Sequence, residues 1–269
     1  MPDQVPSDIA DALRAARGRL GQIGDPLYYW HETTSTNDLA AAYAERGAPQ
    51  GTTVLAGAQT SGRGRLGRHW HSPPGAGLYF STVIRSVRAA PFLTLAAGVA
   101  VAGGIRAASG LPLEIKWPND VVIADTGGPS RRRKLAGVLA EASSSADGLQ
   151  HVILGIGINI SPSSYPPELA DRASSIETEL GRPVDGAVVF AEVLSALSAE
   201  LEPLTRGEAG GLLDRWRRLA PSATGTTVEC DTPLGRIVGI ASGIADDGAL
   251  LVTVGNRVER VIAGEVLWK

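Results

Sequence analysis

The chain has 269 residues, 43% of them hydrophobic, enough for one large core and a small second one. Its formal net charge of −3 and isoelectric point near 5.8 argue against general nucleic-acid binding, which leans on a basic face. One cysteine, Cys230, excludes an internal disulfide framework and fits a reducing cytosol. No apolar run reaches the roughly 18 residues a membrane span needs. The opening M-P-D-Q-V-P-S-D is too polar and acidic for a signal peptide, so cytoplasmic residence without a membrane partner is expected.

Ile9, Leu13, Ala16 and Leu20 recur at helical spacing and predict a helix over residues 7–20, with Ser7 as its N-cap. A strand over L-Y-Y-W-H leads into T-T-S-T-N-D-L, and Gly47 stops a helix that spans Asn37 to Arg46. Ser35, Thr36 and Asn37 are each good capping residues. Three in succession exceed what one cap needs, and a strand-to-helix turn is a usual ligand position in α/β folds, so they are also candidate binding residues.

The next strand, T-T-V-L-A-G-A-Q, runs into Q-T-S-G-R-G-R-L-G-R-H-W, residues 59–70. Gly62, Gly64 and Gly67 can take positive φ and bring backbone N–H groups close to an anion. Arg63, Arg65 and Arg68 add planar, permanently charged forks matched to carboxylate or phosphate. The alternative is a solvated basic turn. The spacing fits neither the phosphate-binding loop of nucleotide hydrolases nor the dinucleotide fingerprint.

G-L-Y-F-S-T-V-I alternates as a strand, and P-F-L-T-L-A-A-G-V-A-V-A-G-G-I-R-A-A-S-G reads as a buried small-residue helix ending at Gly110. L-E-I-K-W-P-N-D-V-V-I is two short strands broken at Pro118, with Lys116, Asn119 and Asp120 crowding the bend. T-G-G-P-S-R-R-R is a loop, with Arg131 to Arg133 solvated. Lys134 then opens a strand in which Leu135, Gly137 and Leu139 face one way and Lys134, Ala136, Val138 and Ala140 the other. H-V-I-L-G-I-G-I-N-I is an apolar strand whose glycines permit close approach and whose end carries Asn159. A Pro/Ser-rich surface loop follows, then helices over 185–204 and 208–219. From Pro221 the texture changes to short strands with tight turns, A-D-D-G among them, predicting a small β-barrel.

His31, His69, His71 and His151 lack metal-ligand spacing, so no metal residues are assigned, and no nucleophile elbow is present. What remains is an electrostatic site: Arg63, Arg65, Lys116 and Lys134 as cations, glycine turns as N–H donors, and Asp120 as carboxylate. Such a set suits joining a carboxylate to a polyphosphate, whose mutual repulsion must be neutralised first, with Mg2+ supplying the remaining charge.

These residues resemble the biotin protein ligases. The resemblance rests on S-T-N at Ser35 to Asn37, Q-T-x-G-R-G-R-x-G-R-x-W from Gln59, K-W-P-N-D from Lys116, K-L-A-G-x-L-x-E from Lys134 to Glu141, G-I-G-I-N from Gly155, and A-S-S-I at Ala173. It implies an α+β fold: a mixed sheet with flanking helices, of the class II synthetase-like type, over residues 1–220, and an SH3-like β-barrel over 221–269. It implies two half-reactions, in which biotin and ATP give biotinyl-5′-AMP and pyrophosphate, and a lysine of a biotin carboxyl carrier domain of an acyl-CoA or pyruvate carboxylase then takes the biotinyl group. Carried over by position, Ser35, Thr36, Asn37 and Gln59 lie at the bicyclic ring and Trp70 on the valeryl chain. Arg63, Gly64 and Arg65 close over the carboxylate and α-phosphate, Lys134 touches both, and Gly137 leaves room for the ring. Arg68 joins the nucleotide set and Asn159 reaches the adenine. Lys116, Asn119 and Asp120 lie by the phosphates or the incoming lysine. Repressor-type members carry an N-terminal winged helix-turn-helix, whereas the catalytic pattern here starts near Pro26, so DNA is not an expected partner. A lipoate-type ligase and a non-catalytic biotin or nucleotide-binding regulator are the competing readings.

Overall fold

The computed structural model describes residues 1–269 except 87, 119, 125–131, 147 and 233–234. Seven strands form a mixed sheet: β1 (Leu27–Trp30), β2 (Thr53–Ala56), β3 (Gly77–Ile84), β4 (Leu113–Lys116), β5 (Asp120–Ile123), β6 (Lys134–Ser145) and β7 (Gly148–Asn159), in the order β1-β2-β3-β7-β6-β5-β4. Among the described strands only β1 and β2 pair in parallel, because the helix between them, α2 (Thr36–Glu45), returns the chain to the same end of the sheet. The other pairs are antiparallel.

Strand alternation divides the two faces of this sheet by chemistry. Phe80 and Ile84 on β3, and Leu154, Ile156 and Ile158 on β7, enter the main core. That core is roofed by α1 (Ser7–Leu20), α3 (Leu93–Ser109), α5 (Gly186–Thr205) and α6 (Gly210–Leu219). Phe80 meets Phe190 of α5 edge-to-face with ring centroids 5.0 Å apart. Gly104 lets α3 and α5 approach closely, since a Cβ there would strike the backbone of Val193. The opposite face carries small or polar residues, Ser81, Gly155, Gly157 and Asn159, and is covered at one end by α2 on Val54, Val83 and Ile153.

A second sheet follows: β8 (Thr224–Thr232), β9 (Gly235–Ile244), β10 (Leu250–Val254), β11 (Arg257–Val261) and β12 (Glu265–Trp268), antiparallel in the order β11-β10-β9-β8-β12. The A-D-D-G turn joins β9 to β10 as expected, with Gly248 N–H donating to the Ala245 carbonyl. It also anchors the sheet to the first unit, because Trp117 Nε1–H donates to the Gly248 carbonyl at 3.0 Å.

Several expectations are corrected. The N-cap of α1 is Pro6, with Ser7 inside the first turn. The stretch Ala90–Ser109, α3 with the turn before it, is long and apolar enough to cross a membrane, contrary to the expectation of no such run; most of it is buried against α5 and the sheet. A short helix, α4 (Ile176–Leu180), capped by Ser175 Oγ accepting from Thr178 N–H at 3.2 Å, and strand β12 were not anticipated. The 161–176 loop is not wholly superficial, since Ser164, Ser174 and Ser175 are buried.

Candidate active site

The small-residue face of the sheet carries a cleft of about 670 Å³. Its floor is Gly137 on β6 with Gly155 and Gly157 on β7; its sides are the arginine loop, the Lys116–Pro118 bend, the loop through Tyr165 to Ala173, and Gly264, Val266, Leu267 and Trp268 beside and within β12. Arg63, Gly64, Arg65, Arg68, Trp70, Lys116, Asp120, Lys134, Gly137 and Asn159 are brought together here. Asn119 lies outside the described residues.

The arginine loop folds back on itself. Trp70 N–H donates to the Gly62 carbonyl at 2.8 Å and Gly64 N–H to the Arg68 carbonyl at 2.7 Å, around a turn at Arg65–Gly67. Of the three glycines expected to use positive φ, Gly67 does so (φ 72°), and its neighbour in the left-handed region is Leu66 (φ 57°). Gly62 is required for close approach instead, since a Cβ would strike the Trp70 carbonyl. Arg65 reaches the second sheet, donating from Nη2 to the Gly264 carbonyl at 3.0 Å.

The Trp70 indole lies over the glycine floor: a Cβ at Gly157 would collide with it, and one at Gly137 would sit 3.1 Å from it. Its buried Nε1–H has no hydrogen-bond acceptor among the described residues. Lys134 Nζ is 5.1 Å from the ring centroid and 2.6 Å from Asp120 Oδ1. A bulge produces this placement. Asp120 pairs with Gly137 and Val121 with Ala136, but Val122 pairs with Lys134, so Leu135 is the extra residue. Leu135 therefore joins the core with Ala136 and Val138, and Lys134 turns to the Gly137 side, contrary to strict alternation.

The A-S-S-I segment adds a rung beside this bulge. Lys134 N–H donates to the Arg172 carbonyl at 2.8 Å and Ser174 N–H to the Lys134 carbonyl at 2.9 Å. Asn159 ties the rung to β7, its Nδ2 donating to the Ser174 carbonyl at 2.9 Å.

Ser35, Thr36, Asn37 and Gln59 are not among the cleft-lining residues; they lie at the α2 end of the same sheet face, where Thr36, Asn37 and Gln59 form a polar network over Gly155. Thr36 N–H and Oγ1–H both donate to Gln59 Oε1, at 2.8 and 3.1 Å, and Gln59 Nε2 donates to Ser72 Oγ at 3.0 Å. Ser81 Oγ–H reaches Asn37 Oδ1 at 2.5 Å, and Asn37 Nδ2 donates to Glu141 Oε2 at 2.5 Å. Ser35 holds the N-cap position of α2 yet makes no side-chain cap bond, so capping does not account for this trio. Glu141 Oε2 also accepts from Arg63 Nη2 at 2.9 Å, and Asp38 Oδ1 from Arg63 Nη1 at 2.6 Å. Partial burial works against the Arg63 charge, but the bonds to Asp38 and Glu141 more than offset it and hold its pKa above the usual range.

Arg132, expected to be solvated, is 14% exposed and paired with Glu114 at 2.8 Å; Arg133 pairs with Glu179 at 2.8 Å, and Arg131 lies outside the described residues. Glu141 closed a recognised motif without an assigned role. Tyr165, Asp171 and Arg172 were hidden in a stretch whose proline and serine content reads as surface loop, and Trp268 in a strand of four residues.

The seven-stranded mixed sheet, its glycine-floored cationic cleft and the small antiparallel sheet beside it place the chain with the biotin and lipoate ligases. The Biotin/lipoate A/B protein ligase family matches residues 29–159, and the Biotin protein ligase C terminal domain matches residues 227–267. The chain is 34% identical to the "Bifunctional ligase/repressor BirA" of Bacillus subtilis over 249 residues, 91% of this chain and 74% of that one. It is 33% identical to the biotin–acetyl-CoA-carboxylase ligase of Mycobacterium tuberculosis over 255 residues, 88% and 86% of the two chains. The biotin protein ligase of Aquifex aeolicus, solved in complex with biotin and ATP, superposes with a TM-score of 0.75 at 29% identity, covering 90% of this chain and 98% of that one. The chain belongs to the biotin protein ligases.

Proposed function

We propose that this protein is an ATP-dependent biotin protein ligase, with residues 1–220 as its catalytic unit and 221–269 as a closing unit over the cleft. The observation that carries this is Lys134 Nζ, turned by the β6 bulge onto a glycine floor roofed by Trp70. In the first half-reaction a biotin carboxylate oxygen attacks the α-phosphorus of ATP, the bond to the bridging oxygen breaks, and pyrophosphate leaves. In the second, the ε-amine of a carrier lysine attacks the acyl carbon and AMP leaves, carrying the acyl-phosphate oxygen.

The protein's part is positioning and charge neutralisation. Lys134 faces the carboxylate and α-phosphate, with Asp120 holding its ammonium in place until the anions arrive. Arg65, Arg68 and Lys116 surround the phosphates, and Asn159, its Nδ2 held by the Ser174 carbonyl, lies at the adenine end. Trp70 covers the acyl chain over Gly137 and Gly157. The bicyclic ring enters beside Gly155 and exchanges hydrogen bonds with the Thr36, Asn37 and Gln59 network, Ser35 lying at its edge. Mg2+ binds with few protein carboxylates when phosphates supply the other oxygens. The cleft carboxylates Asp120 and Asp171 suit that mode, and the ion would neutralise phosphate charge. The acyl acceptor is a biotin carboxyl carrier domain.

Incubation with biotin, ATP, Mg2+ and a carrier domain, followed by intact-mass measurement, should show one biotinyl group on the carrier. Pyrophosphate exchange into ATP should depend on biotin. Equal stimulation by lipoate would favour the lipoate-type alternative, and binding without exchange would leave a non-catalytic regulator. The match of residues 227–267 to the biotin ligase C-terminal domain favours biotin.

A further inference from the structure

We propose that Glu141 is a positioning residue. With Asp38 it buckles the root of the arginine loop to β6 and α2 through Arg63, so that the Arg63 side chain serves the loop and not the bound anions. The proposal rests on the ligase reading for its kinetic consequences, though not for its structural one.

Both terminal nitrogens of Arg63 are occupied by carboxylates from separate elements, Nη1 by Asp38 of α2 at 2.6 Å and Nη2 by Glu141 of β6 at 2.9 Å. One guanidinium between two carboxylates leaves a local charge of −1, which repels a ligand anion. Lys134, paired with Asp120 among the described residues, forms a neutral pair that an anion can enter. The same Glu141 oxygen takes the Asn37 amide, whose own oxygen is pressed against Gly155 in the cleft floor. A single carboxylate thus couples the loop root to the buried Asn37–Ser81–Thr36–Gln59 network, and a loop that shifts at Arg63 shifts Asn37 with it. β6 places the parts in register: Gly137, Leu139 and Glu141 share the cleft face, two residues apart, downstream of Lys134. The buckle is half-exposed, with Arg63 and Glu141 side chains 40% and 41% accessible, so folding does not depend on it.

The test compares the full chain with Glu141→Ala, Glu141→Gln, Arg63→Ala and the double alanine variant. Without ligand, Glu141→Ala should speed amide hydrogen exchange across residues 61–68 and leave the β6 and β7 amides unchanged. In biotin-dependent pyrophosphate exchange its KM for biotin should rise about tenfold, equivalent to ~1.4 kcal/mol, with kcat within roughly threefold of the parent. Glu141→Gln keeps one acceptor oxygen and should recover most of the affinity. The KM rise of the double variant should fall well short of the product of the two single effects, since Arg63 and Glu141 share one ion pair while Glu141 alone also holds Asn37. Unchanged exchange at 61–68, or KM effects of the two single variants that multiply, would overturn the proposal. If the parent shows no biotin-dependent exchange, the ligase reading fails while the hydrogen-exchange arm still decides the buckle.

Discussion

Replacing Lys134 by alanine separates chemistry from architecture. Its ammonium is paired with Asp120 at 2.6 Å and sits 5.1 Å from the Trp70 ring centroid, and both side chains of the pair are about one-third accessible. Water therefore screens the pair, whose loss costs at most ~1 kcal/mol, and the cation–π contact adds roughly 0.5–1 kcal/mol. A total of ~1–2 kcal/mol lowers Tm by only a few degrees in a chain of this size. Removing one preorganised charge from a reacting oxygen costs about 2.7–4 kcal/mol, or 10²–10³ in rate. Lys134→Ala should thus fold, melt slightly early and lose at least about a hundredfold in the first half-reaction. Lys134→Arg, which keeps the charge on a different head group, should fall between the two. Thermal melts beside biotin-dependent pyrophosphate exchange measure both quantities. Exchange within a few-fold of the parent, or a Tm loss beyond about 10 °C, would refute the reasoning and make Lys134 a structural strand residue.

Gly155→Ala places a methyl on Asn37 Oδ1 and must displace the Asn37 bonds to Ser81 and Glu141, so we expect a loss of about 1–3 kcal/mol by urea unfolding and weaker biotin binding by calorimetry; unchanged affinity would detach the network from the ligand. Asp185→Ala removes the cap that accepts from Ala187 N–H at 2.9 Å and Val188 N–H at 3.2 Å, which should cost ~1 kcal/mol of stability with exchange kinetics intact. His151 is buried, and burial, then Arg85, push its pKa below the usual value while Glu45 pulls weakly the other way. The unfolded chain therefore binds the proton more readily. Stability should be full above about pH 6.5, fall as pH drops through that value, and level off once the folded-state pKa is passed. Urea midpoints from pH 5 to 7.5 should lose this slope in His151→Gln, and an identical slope in both proteins would exclude His151 as its source.

Local physics was enough to read much of this protein from its residues. Helical spacing placed α1, the Pro118 break split β4 from β5, and the A-D-D-G turn announced the β9–β10 hairpin, because each depends on neighbours within a few positions. The cationic loop and the motifs at Lys116, Lys134 and Gly155 were visible for the same reason, their chemistry being contiguous in the chain. Only tertiary structure decided how they meet. The bulge at Leu135 lies in the pairing of β6 with β5, and no periodicity in K-L-A-G predicts that Lys134 turns to the Gly137 side. Asn37, Ser81, Glu141 and Arg63 are far apart in sequence, and their network forms because crossing strands leave polar atoms that burial obliges to pair. In the sequence Arg63 looked equivalent to Arg65 and Lys134 as a site cation, and Arg132 looked solvated. Folding set carboxylates against them, because the placement of a counter-ion is a long-range property of the fold.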